Sequence, residues 1–110
     1  MTDNNRQFLR KELHLAIEVI TENNIYLGTT LDISKNGMAI QMDGPVYEKQ
    51  NIQIGVFQVA DGIEDIGEPF GLTGTVVWSR LLEVGKFGAG IKLDKLTAEE
   101  ENYLAELLGY

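Results

Sequence analysis

The chain has 110 residues, 44% of them hydrophobic and 24% charged, with no cysteine and a formal net charge of −8. That is the size and balance of one globular domain, able to bury roughly 65% of its unfolded surface around one core. The composition excludes disulfides, thiolate nucleophiles and zinc–thiolate sites. The polar start "MTDNNRQF" and the lack of an apolar run of ~20 residues predict no signal peptide and no membrane span, hence a soluble, cytoplasmic protein.

The charge is unevenly spread. Residues 1–11 hold Arg6, Arg10 and Lys11 against Asp3, a local +2, whereas residues 12–110 hold six basic residues against 16 acids, a body of −10. Such a body lacks the broad basic surface that tracks a nucleic-acid backbone, so DNA and RNA are disfavoured as partners. The basic segment still suits a compact anion.

In chain order, "ELHLAIEVI" (12–20) alternates Leu13, Leu15, Ile17 and Val19 with Glu12, His14 and Glu18, the pattern of a half-buried strand. "ENN" turns the chain, and "IYLGTTLDI" (25–33) reads as a second strand, rich in β-branched and aromatic residues. "SKNG" breaks it, with Asn36-Gly37 a hairpin signal. "MAIQM" (38–42) is a short third strand and "NIQIGVFQV" (51–59) a fourth. "ADGIEDIGEP" is read as a polar, acidic loop, without the ligand spacing of a calcium loop. "FGLTGTVVWSR" (70–80) and "FGAGIKL" (87–93) complete six strands. A helix over about 97–108 begins at a capping box, Thr97 and Glu100. Glu99, Glu100 and Glu101 favour its positive start, Tyr103, Leu104, Leu107 and Leu108 form its apolar stripe, and Gly109 can end it. About six antiparallel strands and one terminal helix predict a small barrel or sandwich, all-β with a C-terminal helix.

Two segments stand out chemically. In "RQFLR", two of the chain's three arginines, Arg6 and Arg10, lie four positions apart. A guanidinium fork bonds phosphate bidentately or meets the O6 and N7 acceptors of guanine; the plain alternative is a solvated tail. In "DISKNG", Asp32 and Ser34 suit a turn and Gly37 permits positive φ. The same loop can instead present a carboxylate to the N1 and N2 donors of a guanine edge. Pairing the first two strands would bring both segments to one end of the barrel, where donors and acceptor together suit a guanine nucleotide.

These residues resemble the PilZ domain family, bacterial receptors for cyclic di-GMP. The family pattern is R-x-x-x-R followed by [DN]-x-S-x-x-G, matched here by Arg6 and Arg10, then Asp32, Ser34 and Gly37. "GTVVWSR" and "GAGIKL" are similar to two later strands of the family, so the resemblance spans about residues 6–108. It implies a six-stranded antiparallel PilZ-type β-barrel over residues 12–110, preceded by a flexible N-terminal segment, residues 1–11. It also implies a non-enzymatic receptor with cyclic di-GMP as ligand and no cofactor, signalling to an unknown protein partner in motility, biofilm or exopolysaccharide control. Arg6 and Arg10 would grip phosphates and guanine edges, Asp32 and Ser34 would meet guanine, and Gly37 would let the loop turn. Gln7 departs from the many members that carry an arginine there, which bears on affinity or stoichiometry.

Trp78, the only tryptophan, has two readings: a core residue, or, by the resemblance, an aromatic wall against a guanine. Arg80 is either a surface cation or a second stacking group. His14, the lone histidine, is expected at the surface, and no nucleophile–base set accompanies it. The rival to a nucleotide receptor is a PilZ-like interaction module that docks on a protein without ligand; a nucleic-acid-binding barrel and an enzyme rank below it.

Overall fold

Alternation of apolar and polar side chains makes each strand two-faced, and strands with one apolar face close most economically on themselves. In the computed structural model, which describes residues 10–57, 59–60, 63–64 and 69–109, they do so. The strands are β1 (Lys11–Glu12), β2 (Ala16–Ile20), β3 (Ile25–Ile33), β4 (Gly37–Met42), β5 (Asn51–Val56), β6 (Val59–Ala60), β7 (Ile63–Glu64), β8 (Phe70–Glu83) and β9 (Lys86–Leu93), followed by helix α1 (Ala98–Leu108). The sheet order β3-β2-β5-β8-β9-β4 returns to β3 through the β3–β4 pairing, so six strands form a closed antiparallel barrel. β1 extends the barrel beside the end of β3, and β6 and β7 form a separate two-residue ribbon.

The interior is aliphatic. Ile17, Val19, Ile33, Ile40, Ile52, Ile54, Val56, Leu72, Val76, Ala89 and Ile91 are buried, with Met38 and Met42 filling between them. Sixteen such apolar residues at roughly 1.5–3 kcal/mol for each large side chain form one continuous cluster, and Leu104 of α1 belongs to it. The helix carries the expected caps: Glu100 N–H donates to Thr97 Oγ1 at 3.1 Å, and Thr97 N–H donates to Glu100 Oε1 at 2.9 Å. Gly109 ends it in the left-handed region (φ 81°), its N–H bonded to the Ala105 carbonyl.

Four boundaries differ from the sequence expectations. The first strand is not continuous over 12–20: β1 and β2 are separated by residues 13–15, and their registers against β3 differ by one residue. Buried Thr30 explains the break, because its hydroxyl donates to the Leu13 carbonyl and accepts the Leu15 N–H at 2.8 Å, replacing ladder bonds. The fourth strand stops at Val56, and the ribbon β6–β7 falls within the stretch read as an acidic loop and the end of that strand. The fifth strand runs on to Glu83, well past Arg80. Finally, Asn36-Gly37 does mark a hairpin, but the glycine is not its turn residue. Ser34 N–H bonds the Gly37 carbonyl at 2.8 Å, so Lys35 and Asn36 form the loop, and Gly37 opens β4 without a positive φ. Close approach explains the glycine there instead, since a Cβ would lie 2.5 Å from the Ile91 carbonyl of β9.

Candidate functional site

Antiparallel pairing of β1 with β3 sets Glu12 opposite Asp32 and brings Arg10 alongside. The Arg10 guanidinium donates from Nε (3.0 Å) and Nη2 (2.8 Å) to a single oxygen, Asp32 Oδ1. Both side chains remain partly exposed, at 53% and 34%. Among the described residues Asp32 Oδ2 accepts no hydrogen bond. A β-bulge at Leu31 is what turns Asp32 to the outer surface while Thr30 and Ile33 stay inside.

Register then extends the site across the barrel wall. Asp32 is opposite Ala39, Ala39 opposite Gly90, and Gly90 opposite Trp78. These four form one outward row over β3, β4, β9 and β8, about 14 Å from end to end at ordinary strand spacing. The middle of the row is small, Ala39 and Gly90, and the ends are tall. Trp78 lies across Gly90 so closely that a Cβ there would strike the indole. Arg80 sits with its guanidinium carbon 4.8 Å from the Trp78 ring centroid, a cation–π pair. The row thus runs from the Arg10–Asp32 pair, over two small residues, to an indole with a guanidinium stacked on it.

The core reading of Trp78 is therefore corrected. Plain alternation from Leu72, Gly74 and Val76 points Trp78 inward. A second bulge, with Val77 as the extra residue, reverses the phase and puts Trp78 half-buried on the outside. Arg80 follows it onto the same face; the sequence offered only the W-x-R spacing as a signal.

Ser34 is fully buried. Its hydroxyl lies 2.8 Å from Asn36 Oδ1 and 3.1 Å from the Gly37 carbonyl, so its donor is used inside the hairpin. Gly37 is buried against β9, opposite Lys92. Both residues shape the loop next to Asp32. Arg6 and Gln7 lie outside the described residues. His14 is exposed and meets Glu12 at 3.0 Å. Among the described residues there is no group of three metal-ligating side chains, and no helix is long and apolar enough to cross a membrane.

A family model for the PilZ domain matches residues 4–110, and the chain belongs to that family. Solved structures agree on the fold. The inhibitor of motility MotI/DgrA of Bacillus subtilis superposes with a TM-score of 0.74 at 13% identity, covering 96% of this chain and 49% of that one. The PilZ domain of CeSA from a cellulose-synthesizing bacterium gives 0.61 at 19% identity, covering 92% and 96%. PlzA of Borreliella burgdorferi, solved in complex with c-di-GMP, gives 0.53 at 11% identity, covering 89% and 46%. The chain thus spans about half the length of MotI/DgrA and of PlzA. No curated protein sequence matches it.

Proposed function

We propose that the chain is a cyclic di-GMP receptor whose ligand lies over the row between Arg10–Asp32 and Trp78–Arg80. The observation that carries this reading is the meeting of Arg10 and Asp32 across 22 residues, at the end of a row whose far end is an aromatic wall. The spare Asp32 oxygen suits the N1 and N2 donors of guanine, and Trp78 offers a face for stacking a base. Arg10 donates to a guanine Hoogsteen edge or to phosphate, and Arg6, with Gln7 beside it, supplies a second guanidinium from the preceding segment. Ser34 and Gly37 act in this scheme by fixing the hairpin from which Asp32 projects. The PilZ family membership and the c-di-GMP complex of PlzA support the ligand's identity.

The receptor acts without catalysis. Closing Arg6 and Arg10 over the ligand changes the surface offered to a protein partner, an output suited to motility, biofilm or exopolysaccharide control in the cytoplasm. A second reading has two observations in its favour: Ser34 spends its hydroxyl inside the hairpin and Arg10 already has an anionic partner, so the motifs can serve purely as structure in a nucleotide-free docking module. Isothermal titration of the folded protein with cyclic di-GMP at low salt separates the two. A Kd below about 100 μM is expected; no heat at that concentration leaves the docking module standing.

A further inference from the structure

Arg80 is the only arginine of residues 12–110, a stretch with 16 acids. Among the described residues no carboxylate bonds it. Its contact is with an aromatic ring instead, and two glycines of β9 decide how. Trp78 leans across the strand onto Gly90. The atoms nearest a Cβ built there are Nε1, Cδ1 and Cε2 of the indole, the two carbons both at 2.6 Å. Contact spread over three adjacent ring atoms is a contact with the face, so the backbone of Gly90 closes that side of the ring to a ligand.

The next outward position of β9 is Gly88, opposite Arg80. Leu82 covers it: a Cβ at Gly88 would lie 3.1 Å from both Leu82 methyl carbons. The space over β9 that Arg80 would otherwise fill is therefore taken. Its guanidinium lies over the indole, on the side that Gly90 leaves open, with its central carbon 4.8 Å from the ring centroid. The stack is layered: glycine backbone, indole, guanidinium, solvent.

We infer that a guanine at this end of the row stacks on the Arg80 guanidinium, and that Trp78 is the positioning residue beneath it. The inference rests on the cyclic di-GMP reading above and refines it, since a base that approaches Trp78 meets Arg80 first. Guanidinium planes stack bases as aromatic rings do. Displacing Arg80 would break its cation–π contact, whereas stacking upon it keeps that contact and adds another. The N–H groups at the edge of the guanidinium stay available to a phosphate oxygen of the same ligand.

Calorimetry of the full chain with cyclic di-GMP tests this by comparing the parent with Arg80→Lys and Arg80→Gln. Lysine keeps the charge and loses the planar fork; glutamine loses the charge. Arg80 is exposed, so neither change disturbs the core. Both variants are expected to bind at least about fivefold more weakly. Trp78 is the only tryptophan, so its emission reports this place alone. Saturating ligand is expected to quench it less in the parent than in Arg80→Gln, where the base reaches the indole. Either variant binding as tightly as the parent overturns the inference. So does quenching in the parent that equals or exceeds that in Arg80→Gln. A parent that binds no cyclic di-GMP overturns the receptor reading itself, and the inference with it.

Discussion

At the scale of single residues, Arg10 and Asp32 are held by each other before any ligand arrives. An exposed ion pair of this kind contributes about 0.2–1 kcal/mol to stability, while a charge-assisted hydrogen bond to a ligand is worth about 1.5–3 kcal/mol. The two roles therefore separate by magnitude. Arg10→Ala and Asp32→Ala are each expected to weaken cyclic di-GMP binding at least about tenfold, measured by calorimetry, while moving the thermal midpoint by about 5 °C or less. Unfolding by either substitution assigns the pair a structural role instead. That these two residues come to one end of the barrel was legible in the sequence, because they stood in segments that strand pairing brings together; that they bond each other was not. Ser34 was not legible in the same way. Its neighbours in the sequence gave no sign that its hydroxyl would be sealed inside the hairpin, since burial depends on β9 lying against Gly37.

At the scale of elements, α1 is the part of the fold whose local signals and tertiary position agree most closely. Its caps and apolar stripe were written in residues 97–109, and each is realised. Local signals did not show what the stripe would touch. Tyr103 stacks face to face on Phe70, with ring centroids 3.8 Å apart and planes 7° from parallel. Its hydroxyl is buried with no hydrogen-bond partner among the described residues, and burial raises its pKa from 10.0 to about 12. The unfolded chain therefore releases this proton first as pH rises. The stability tied to the protonated phenol is complete below the unfolded value of about 10 and is lost as pH climbs toward 12. Tyr103→Phe keeps the stack and removes the orphaned hydroxyl. Chemical denaturation should find it at least as stable as the parent at pH 7, with a shallower loss of stability between pH ~10 and ~12. A parallel loss in both proteins places the alkaline sensitivity elsewhere.

The β-bulges belong to this scale too. At Leu31 and at Val77 one extra residue turns a side chain outward, Asp32 in one strand and Trp78 in the other. A period-two pattern contains no mark of an inserted residue until its partner strand is known. The sequence could propose two fates for Trp78, but not choose between them.

At the scale of the whole molecule, the closed barrel leaves its core dependent on every contributor. Leu104 is fully buried in the same cluster as Ile17 and Ile54 although it comes from the helix. Leu104→Ala should destabilise the entire domain by about 2–5 kcal/mol, seen as a lower urea midpoint with an unchanged slope. A change in slope, or a loss confined to helical signal, indicates that α1 unfolds separately from the barrel.

The sequence by itself determined the strand content, the closing helix with its caps, the family, and the approach of Arg10 to the turn that follows the second strand. These are local or short-range properties, set by side-chain alternation, capping chemistry and residue type. Only the tertiary structure decided which residues stand beside Asp32 on the outer surface. Asp32, Ala39, Gly90 and Trp78 come from four strands, and they share one row because of register and two bulges. Those are properties of pairing between distant segments, which no single stretch of chain encodes.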